Sequence, residues 1–559
     1  MTRLPDRPNL DNLKKQAKHL LARWKSGEPG AMTRFRHALP AASGLDDAEV
    51  AALGLRLRDA QSCVAREYGF PSWTDLNAFV AARNALSEDP ARAKRNLLNL
   101  IYAGDIVGGM MRAQPEAAAR VLGERPDIAS RDPLLACAIG DTETIAGEIA
   151  RDPAWIDKPG GPLALPPLIA VTHSSLIRLP AFRERLVKAA AMLLDAGADP
   201  NRSVPSRWGA TVEAASAETP LSALYGAAGQ NRDPELTRLL LERGADPNDG
   251  ESLYHSLEHI ACTRLLLEAG ARSAGTNALY RALDLEDAAP LRLLLEYGAD
   301  PNEPGPGGPA DIYRTPLMWA IRRRRSLAHV EALLAAGADP AVKTARGEST
   351  YALAMRFGLP DVAERIGEAT GGTVALSPVE AFVAACARAD EPEARRLLAE
   401  RPNMIAALPE TTMALLPELA AEGAGKAVRV MVRLGWPIAV RGGDWNASPL
   451  NHAVFRGDAA LARFLLANGA HWTEEHGFDD NVCGTLSWSS MNEPVENGNW
   501  KGCAEALLEH GLPPAKPDPN GSDAVVVEGR LMLFSEDVAD ALLQGNREPE
   551  RVAPAPGGG

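Results

Sequence analysis

Apolar residues recur along this chain at helical rather than alternating spacing. Near the start, Leu13, Ala17, Leu20, Leu21 and Trp24 form one stripe of an amphipathic helix. Ala60, Val64 and Tyr68 repeat the pattern and stop at Gly69. Ser72 and Asp75 then open another helix, over Leu76–Val80, in the manner of a capping box. Further on, blocks of leucine end in one recurring polar phrase. It reads LLDAGADPN at Leu193–Asn201, LLLERGADPN at Leu239–Asn248 and LLLEYGADPN at Leu293–Asn302. LLAAGADPA at Leu333–Ala341 is close to it, and Leu265–Ala271, Phe464–Ala470 and Ala506–Leu512 are weaker echoes. The leucines mark the buried end of a helix. Glycine supplies the positive φ at which a helix stops, and Asp-Pro-Asn turns the chain toward the next unit. Such self-similarity predicts stacked repeats.

Each leucine block has an upstream partner: TPLSAL at Thr219–Leu224, TPLMWA at Thr315–Ala320 and SPLNHA at Ser448–Ala453. In the last, Ser448 suits an N-cap, Pro449 suits the first helical position, and Leu450 and Ala453 face inward. A turn follows at Arg456–Asp458, and a second helix runs through Ala460, Phe464 and Leu465 to Gly469. This resembles the ankyrin repeat, whose pattern is Thr-Pro-Leu-His, a short helix, a turn, and a second helix ending in Leu-Leu and Gly-Ala-Asp. The histidine of that pattern is Ser222, Met318 and Asn451 here. The marker glycines Gly197, Gly244, Gly270, Gly298 and Gly337 are 47, 26, 28 and 39 residues apart, against a family period of about 33. Shortened and lengthened units should therefore alternate. The resemblance implies an all-α fold, a solenoid of stacked helix-turn-helix units with short β-hairpin loops, preceded by a small helical domain. It also implies non-enzymatic protein–protein recognition through a concave face and its hairpin tips. Those tips would be Asp199, Asn201, Asp246, Asn248, Asp300, Asn302 and Asp339.

Four regions are expected. Residues 1–88 form an N-terminal helical cap. Its string REYGFPSWTDLNAFV resembles a short segment found ahead of the repeats in many bacterial ankyrin proteins, with no activity attached. Residues 89–375 hold a first run of repeats, divergent at its start. Residues 376–514 hold a second run, entered at Leu376–Pro402 and carrying a Trp-rich insertion. Residues 515–559 form a partly disordered tail. In it Val525–Phe534 reads as a strand pair or a packed strip, and Arg547–Gly559 reads as disordered.

At 559 residues the chain exceeds one compact core, a limit that a solenoid avoids because each unit touches only its neighbours. Apolar residues make up 46% and aromatics 5%, so the core must be built from Ala and Leu. The net charge of −14 argues against a broadly basic nucleic-acid surface and favours a protein partner with a basic patch. Met1–Gln16 lacks the apolar core of a signal peptide, and no apolar run has the length of a membrane span. Cys63, Cys137, Cys262, Cys386, Cys483 and Cys503 are scattered with no CxxC pair, so reduced, buried thiols in a cytoplasm are expected.

Several motifs carry candidate chemistry. His255-Ser-Leu-Glu258-His259 spells H-x-x-E-H, the inverted zinc-protease pattern. It also falls where the first helix of a shortened repeat belongs, and that reading leaves no metal and no cofactor expected. Arg322–Arg325 could bind phosphate or an acidic partner, but lies at an inter-helix turn that is normally solvated. The cap carries 13 Lys and Arg against 9 Asp and Glu through Ala85, with Lys14, Lys15 and Lys18 on one face. A nucleic-acid-associated regulator acting through this cap is one alternative, although no helix-turn-helix pattern is readable. Gly305–Asp311 lacks the Lys-Ser/Thr end of a phosphate loop and reads as a flexible loop. The segment Trp436–Trp500 holds five of the ten tryptophans, namely Trp436, Trp445, Trp472, Trp488 and Trp500. Trp472, His476, Asp479, Asp480, Trp488 and Trp500 make a candidate C-terminal binding patch. The same tryptophans could instead seal the end of the solenoid. An enzyme or ligand pocket there would use His476 with Asp479 or Asp480 and Cys483 as nucleophile, but nothing in the spacing specifies a triad.

Overall fold

A computed structural model describes residues 4–5, 8–85, 90–109, 112–129, 132–208, 216–305, 313–372, 374–519 and 524–544. The expected flexible loop at Gly305–Asp311, apart from Gly305, and the expected disordered end from Arg547 lie outside the described residues. The contacts divide the chain into two compact units, Met1–Ala299 and Asp300–Gly559.

The first unit opens with five helices, Leu10–Lys25, Pro29–Ala38, Asp47–Ala52, Leu57–Glu67 and Trp73–Ala85. Their apolar stripes face one another: Leu13, Ala17, Leu20 and Trp24 are buried, and Trp24 Nε1 donates to Val50 O at 3.2 Å. Stacked helix pairs follow, the clearest being Pro133–Ile139 with Thr142–Arg151, Pro167–Thr172 with Pro180–Asp195, Ser252–Ser256 with Ile260–Glu268, and Ala278–Asp284 with Ala289–Glu296. The second unit continues the scheme from Pro316–Arg322 with Leu327–Ala335 to Val482–Asn492 with Trp500–Glu509.

The recurring phrase has one geometry throughout. Gly197, Gly244, Gly270, Gly298, Gly337 and Gly469 all sit at φ between +87° and +103°. The alanine after each donates to a helix carbonyl five residues back, as in Ala198 N to Leu193 O and Ala338 N to Leu333 O. That is the Schellman closure of a helix end. These alanines are themselves buried, so Gly-Ala both ends the helix and plugs its base. First helices are capped by Thr315, Ser349, Ser377 and Ser448, three of them with Pro at the following position. Second helices are capped by Asp141, Asp233, Asp390 and Asp458.

Thr219–Leu224 departs from this. Ser216–Ser222 is a strand paired antiparallel with Ser203–Ser206, so position 219 lies within a strand and not at a helix start. Ser222 takes that place, its Oγ accepting Tyr225 N at 2.9 Å. The following turn, Tyr225–Gln230, is a π-helix. Elsewhere the hairpin loops shrink to single antiparallel bridges, Gly160 with Leu165, Lys343 with Ser349, Gly442 with Ala447 and Glu475 with Asn481.

The last of these bridges corrects the sequence reading of an insertion between repeats. Residues 474–500 are a repeat's own hairpin, first helix and connecting loop. Asn481 caps the helix Val482–Asn492, accepting from Cys483 N and Gly484 N. The helix is rich in Gly, Thr and Ser, so it carries no leucine stripe to betray it. Beyond it, Val525–Val527 and Arg530–Met532 pair as strands, and Glu536–Gln544 packs on Trp500–Glu509. Val538 and Leu542 are fully buried there, covering the apolar face that a last repeat would otherwise expose.

Candidate functional site

The expected hairpin tips are hydrogen-bonded within the stack. Each aspartate folds its own turn: Asp199, Asp246, Asp300 and Asp339 accept the N–H two residues on at 2.8–2.9 Å. Each asparagine reaches the next repeat. Asn201 Nδ2 donates to Gly244 O at 3.1 Å while its Oδ1 accepts Asp246 N at 2.7 Å. Asn248 does the same with Gly270 O and Arg272 N, and Asn302 with Gly337 O and Asp339 N. The phrase is thus a ladder whose amide side chains tie one helix end to the next. The aspartates remain exposed at its edge.

The strongest surface feature lies in the second unit. Trp445, on one hairpin, has its ring centre 4.8 Å from His452, 5.6 Å from Phe455 and 5.1 Å from His476. Phe455 stacks on Trp488 at 5.6 Å with the planes 9° apart, and His476 meets Phe478 at 6.0 Å. The hairpins are joined where Gly477 N donates to Trp445 O. A continuous strip of rings results, running from the hairpins to the first helices. Its ends are open: Phe478 is 75% exposed, Trp488 46%, and Met491, one turn along from Trp488, 53%. Of the expected patch, Trp488 belongs to this strip at its surface, and His476 supports it from within, with burial pushing its pKa down. Asp479 is exposed beside Phe478, and Asp480 pairs through both oxygens with Arg530 at 2.7 Å. Trp472 and Trp500 lie in the core, Trp500 donating to Phe455 O. Phe455 and Phe478 escaped the sequence reading, and Trp445 was counted in the Trp-rich segment but not in the candidate patch. Trp445 and Phe478 each follow a glycine-bearing hairpin start, but only the fold aligns those hairpins.

Arg322 and Arg323 are not solvated. The side chain of Arg322 is 5% exposed and pairs with Glu418 at 3.3 Å and Asp444 at 2.7 Å. Arg323 pairs with Glu422 and Asp444, and Arg325 with Glu422. Both Arg322 and Arg323 lie over the Trp319 ring, at 4.9 and 4.7 Å. Burial pushes the Glu422 carboxyl up against the pull of Arg323 and Arg325. At Asp444 burial acts the same way but loses to Arg322 and Arg323, leaving that carboxyl below its ordinary range. The acidic partner of this arginine run is therefore the chain itself. A cavity of about 240 Å³ beside the network is walled by Trp445, His452 and Phe455.

The residues of the alternative readings lie apart. His255 Nε2 meets Glu251 at 3.1 Å, whereas Glu258 pairs with Arg232 and Arg281, and His259 stands just before the next helix without a side-chain capping bond. The Cys483 thiol is buried 3.9 Å from Met532 Sδ, and burial pushes its pKa up to about 12, which disfavours a nucleophilic thiolate. In the cap, a groove of about 850 Å³ includes Arg34 and Arg66. Arg34 is held by Glu67, and Arg66 by Ala38 O and Pro71 O. In the first unit the buried Asp105 accepts from Tyr225 and Gln230, at either end of the π-helix, and burial raises its pKa. No sequence pattern announced that contact.

Helix pairs tied by Schellman ends and an asparagine ladder define a helical-repeat solenoid, and residues 313–345 match the family model "Ankyrin repeat". The segment 313–345 is therefore an ankyrin repeat within a chain of stacked helical repeats. Among solved structures it is similar to the human ASB11 ankyrin repeat domain, at 19% identity over 42% of this chain and 99% of that one, with a TM-score of 0.20. At that score the superposition adds nothing to the fold argument. No curated protein matches the chain. No helix among the described residues is long and apolar enough to cross a membrane.

Proposed function

We propose that this chain is a non-enzymatic protein-recognition scaffold, and that its principal contact surface is the ring strip ending at Phe478, Trp488 and Met491. Ankyrin repeats are in general protein-interaction modules, which supports the scaffold reading. The observation that carries the choice of surface is the exposure of three large apolar side chains on a rigid stack. Exposed apolar groups on ordered elements mark interaction sites, and aromatic anchors supply most of the energy in such contacts. The tip residues serve first as architecture, with Asp199, Asp246, Asp300 and Asp339 contributing charge at the rim.

Affinity capture with nuclease present tests this, using two controls: Phe478→Ser with Trp488→Ser, and Asp199, Asp246 and Asp300 changed to Arg. A protein lost only from the aromatic variant supports the proposed surface. One lost only from the arginine variant moves the site to the tips. Empty captures from the native chain count against the scaffold reading itself.

A further inference from the structure

The arginine network shows what chemistry this unit satisfies internally. Guanidinium groups lie over Trp319 while carboxylates at Glu418, Glu422 and Asp444 neutralise them. The ring strip offers the same two components, and among the described residues no guanidinium lies over Trp488 or Phe478. Trp488 presents an exposed indole held parallel to Phe455, and Phe478 presents an exposed phenyl ring. Glu475 and Asp479 flank Phe478, and Glu493 and Glu496 follow Met491 by a few residues. All four are exposed, and none makes an ion pair among the described residues. Two exposed cations stand nearby, and both are engaged: Arg441, close enough to His476 to act on it, donates from Nε to Asn446 O, and Arg530 pairs with Asp480. An exposed indole attracts a cation through its ring face, and a planar guanidinium can stack on it while its N–H groups reach carboxylates.

From this we infer that the strip binds an arginine-bearing peptide segment with interleaved apolar residues. Its guanidinium groups lie over Trp488 and Phe478 and reach Glu475, Asp479, Glu493 and Glu496. The inference rests on the scaffold reading and names the partner's chemistry. The apolar residues of the segment cover Met491. The net charge of −14 adds long-range attraction for such a segment.

The experiment uses the full chain and fluorescein-labelled peptides of repeated Gly-Arg-Leu, Gly-Lys-Leu and Gly-Glu-Leu, read by fluorescence anisotropy at roughly 50 and 500 mM salt. The arginine peptide is expected to bind most tightly, the lysine peptide more weakly and the glutamate peptide not at all. Changing Phe478 and Trp488 together to Ala should weaken the arginine peptide about tenfold or more. These side chains are exposed, so the melting temperature should stay put. Changing Glu475, Glu493 and Glu496 to Gln and Asp479 to Asn should flatten the salt dependence. Equal binding of the arginine and glutamate peptides would overturn the inference, as would full binding by the aromatic variant. Dimerisation of the native chain that the aromatic variant loses would assign the strip to a second copy, and so overturn it too. A purified partner that needs Trp488 yet carries no basic segment would overturn this inference while leaving the scaffold reading intact.

Discussion

Replacing Asn201 by Ala tests whether the asparagine ladder holds the repeats together. The side chain donates to Gly244 O at 3.1 Å and accepts Asp246 N at 2.7 Å, so truncation removes two bonds across one repeat interface. A hydrogen bond contributes a net ~0.5–1.5 kcal/mol. This one is solvent-exposed, so water recovers part of the loss, and ~1–2 kcal/mol is expected for the pair. In a repeat array such a cost falls on the local interface and not on the whole chain. A global melt of a chain with two units is a poor readout, because it need not be two-state. Hydrogen exchange is the better assay. The amides of Ala245 and Asp246 should exchange roughly 5- to 30-fold faster, the factor that ~1–2 kcal/mol implies. Asn201→Asp keeps the acceptor for Asp246 N and loses the donor to Gly244 O, so it should fall between native and Ala. Exchange at Asp246 within about twofold of native in the Ala variant would refute the ladder as a stabilising device, since it would put the pair below ~0.5 kcal/mol.

Three further outcomes are expected. Arg322→Met strips a buried cation from the half-buried Glu418 and the exposed Asp444 and should cost the second unit about 1–3 kcal/mol in urea unfolding, below the cost of orphaning a buried charge because water reaches both carboxylates and Arg323 still pairs with Asp444. Full stability would show that the network is dispensable. His173 and His452 are buried and their pKa values are depressed to about 4 by loss of water, so the folded chain holds them neutral. Their stabilising contribution is fully present above about pH 6.5, the ordinary histidine value, and is lost as pH falls toward 4. His452→Gln should remove part of that acid sensitivity from the second unit, as followed by circular dichroism across that window. Gly457→Ala should destabilise by more than Gly435→Ala. Both glycines have positive φ, at +66° and +97°, but a Cβ on Gly457 would come 2.6 Å from the backbone of Gly498 and Asn499, while Gly435 faces open space. Equal midpoints for the two variants would contradict the close approach.

The parts of the fold that were legible in the chain are those where a residue acts on its immediate neighbours. Leucine followed by Gly-Ala predicts a helix end because the positive φ and the return hydrogen bond are both local, and every marker glycine carries them. Ser448-Pro449 predicts a helix start for the same reason, with Ser448 accepting Asn451 N. The helix Val482–Asn492 was hidden because its residues lack the leucine stripe, and its stability comes from the neighbours it packs on. The strand at Ser216–Ser222 was hidden because its partner lies in the preceding segment, and pairing is not written in either strand alone.

The candidate site divides along the same line. That Trp488 and His476 belong to a distinctive segment could be read from tryptophan density. That Phe455, Trp445 and Phe478 complete the strip could not, since those rings meet only when successive hairpins and first helices are stacked. Four consecutive arginines read as a solvated turn, because local charge patterning carries no information about Glu418 or Asp444, about a hundred residues away. The sequence by itself determined the repeat, its caps and its helix ends, because these are set by backbone sterics and hydrogen bonds within a few residues. Tertiary structure alone decided which side chains meet across repeats, which charges are buried, and which aromatic rings are left facing water.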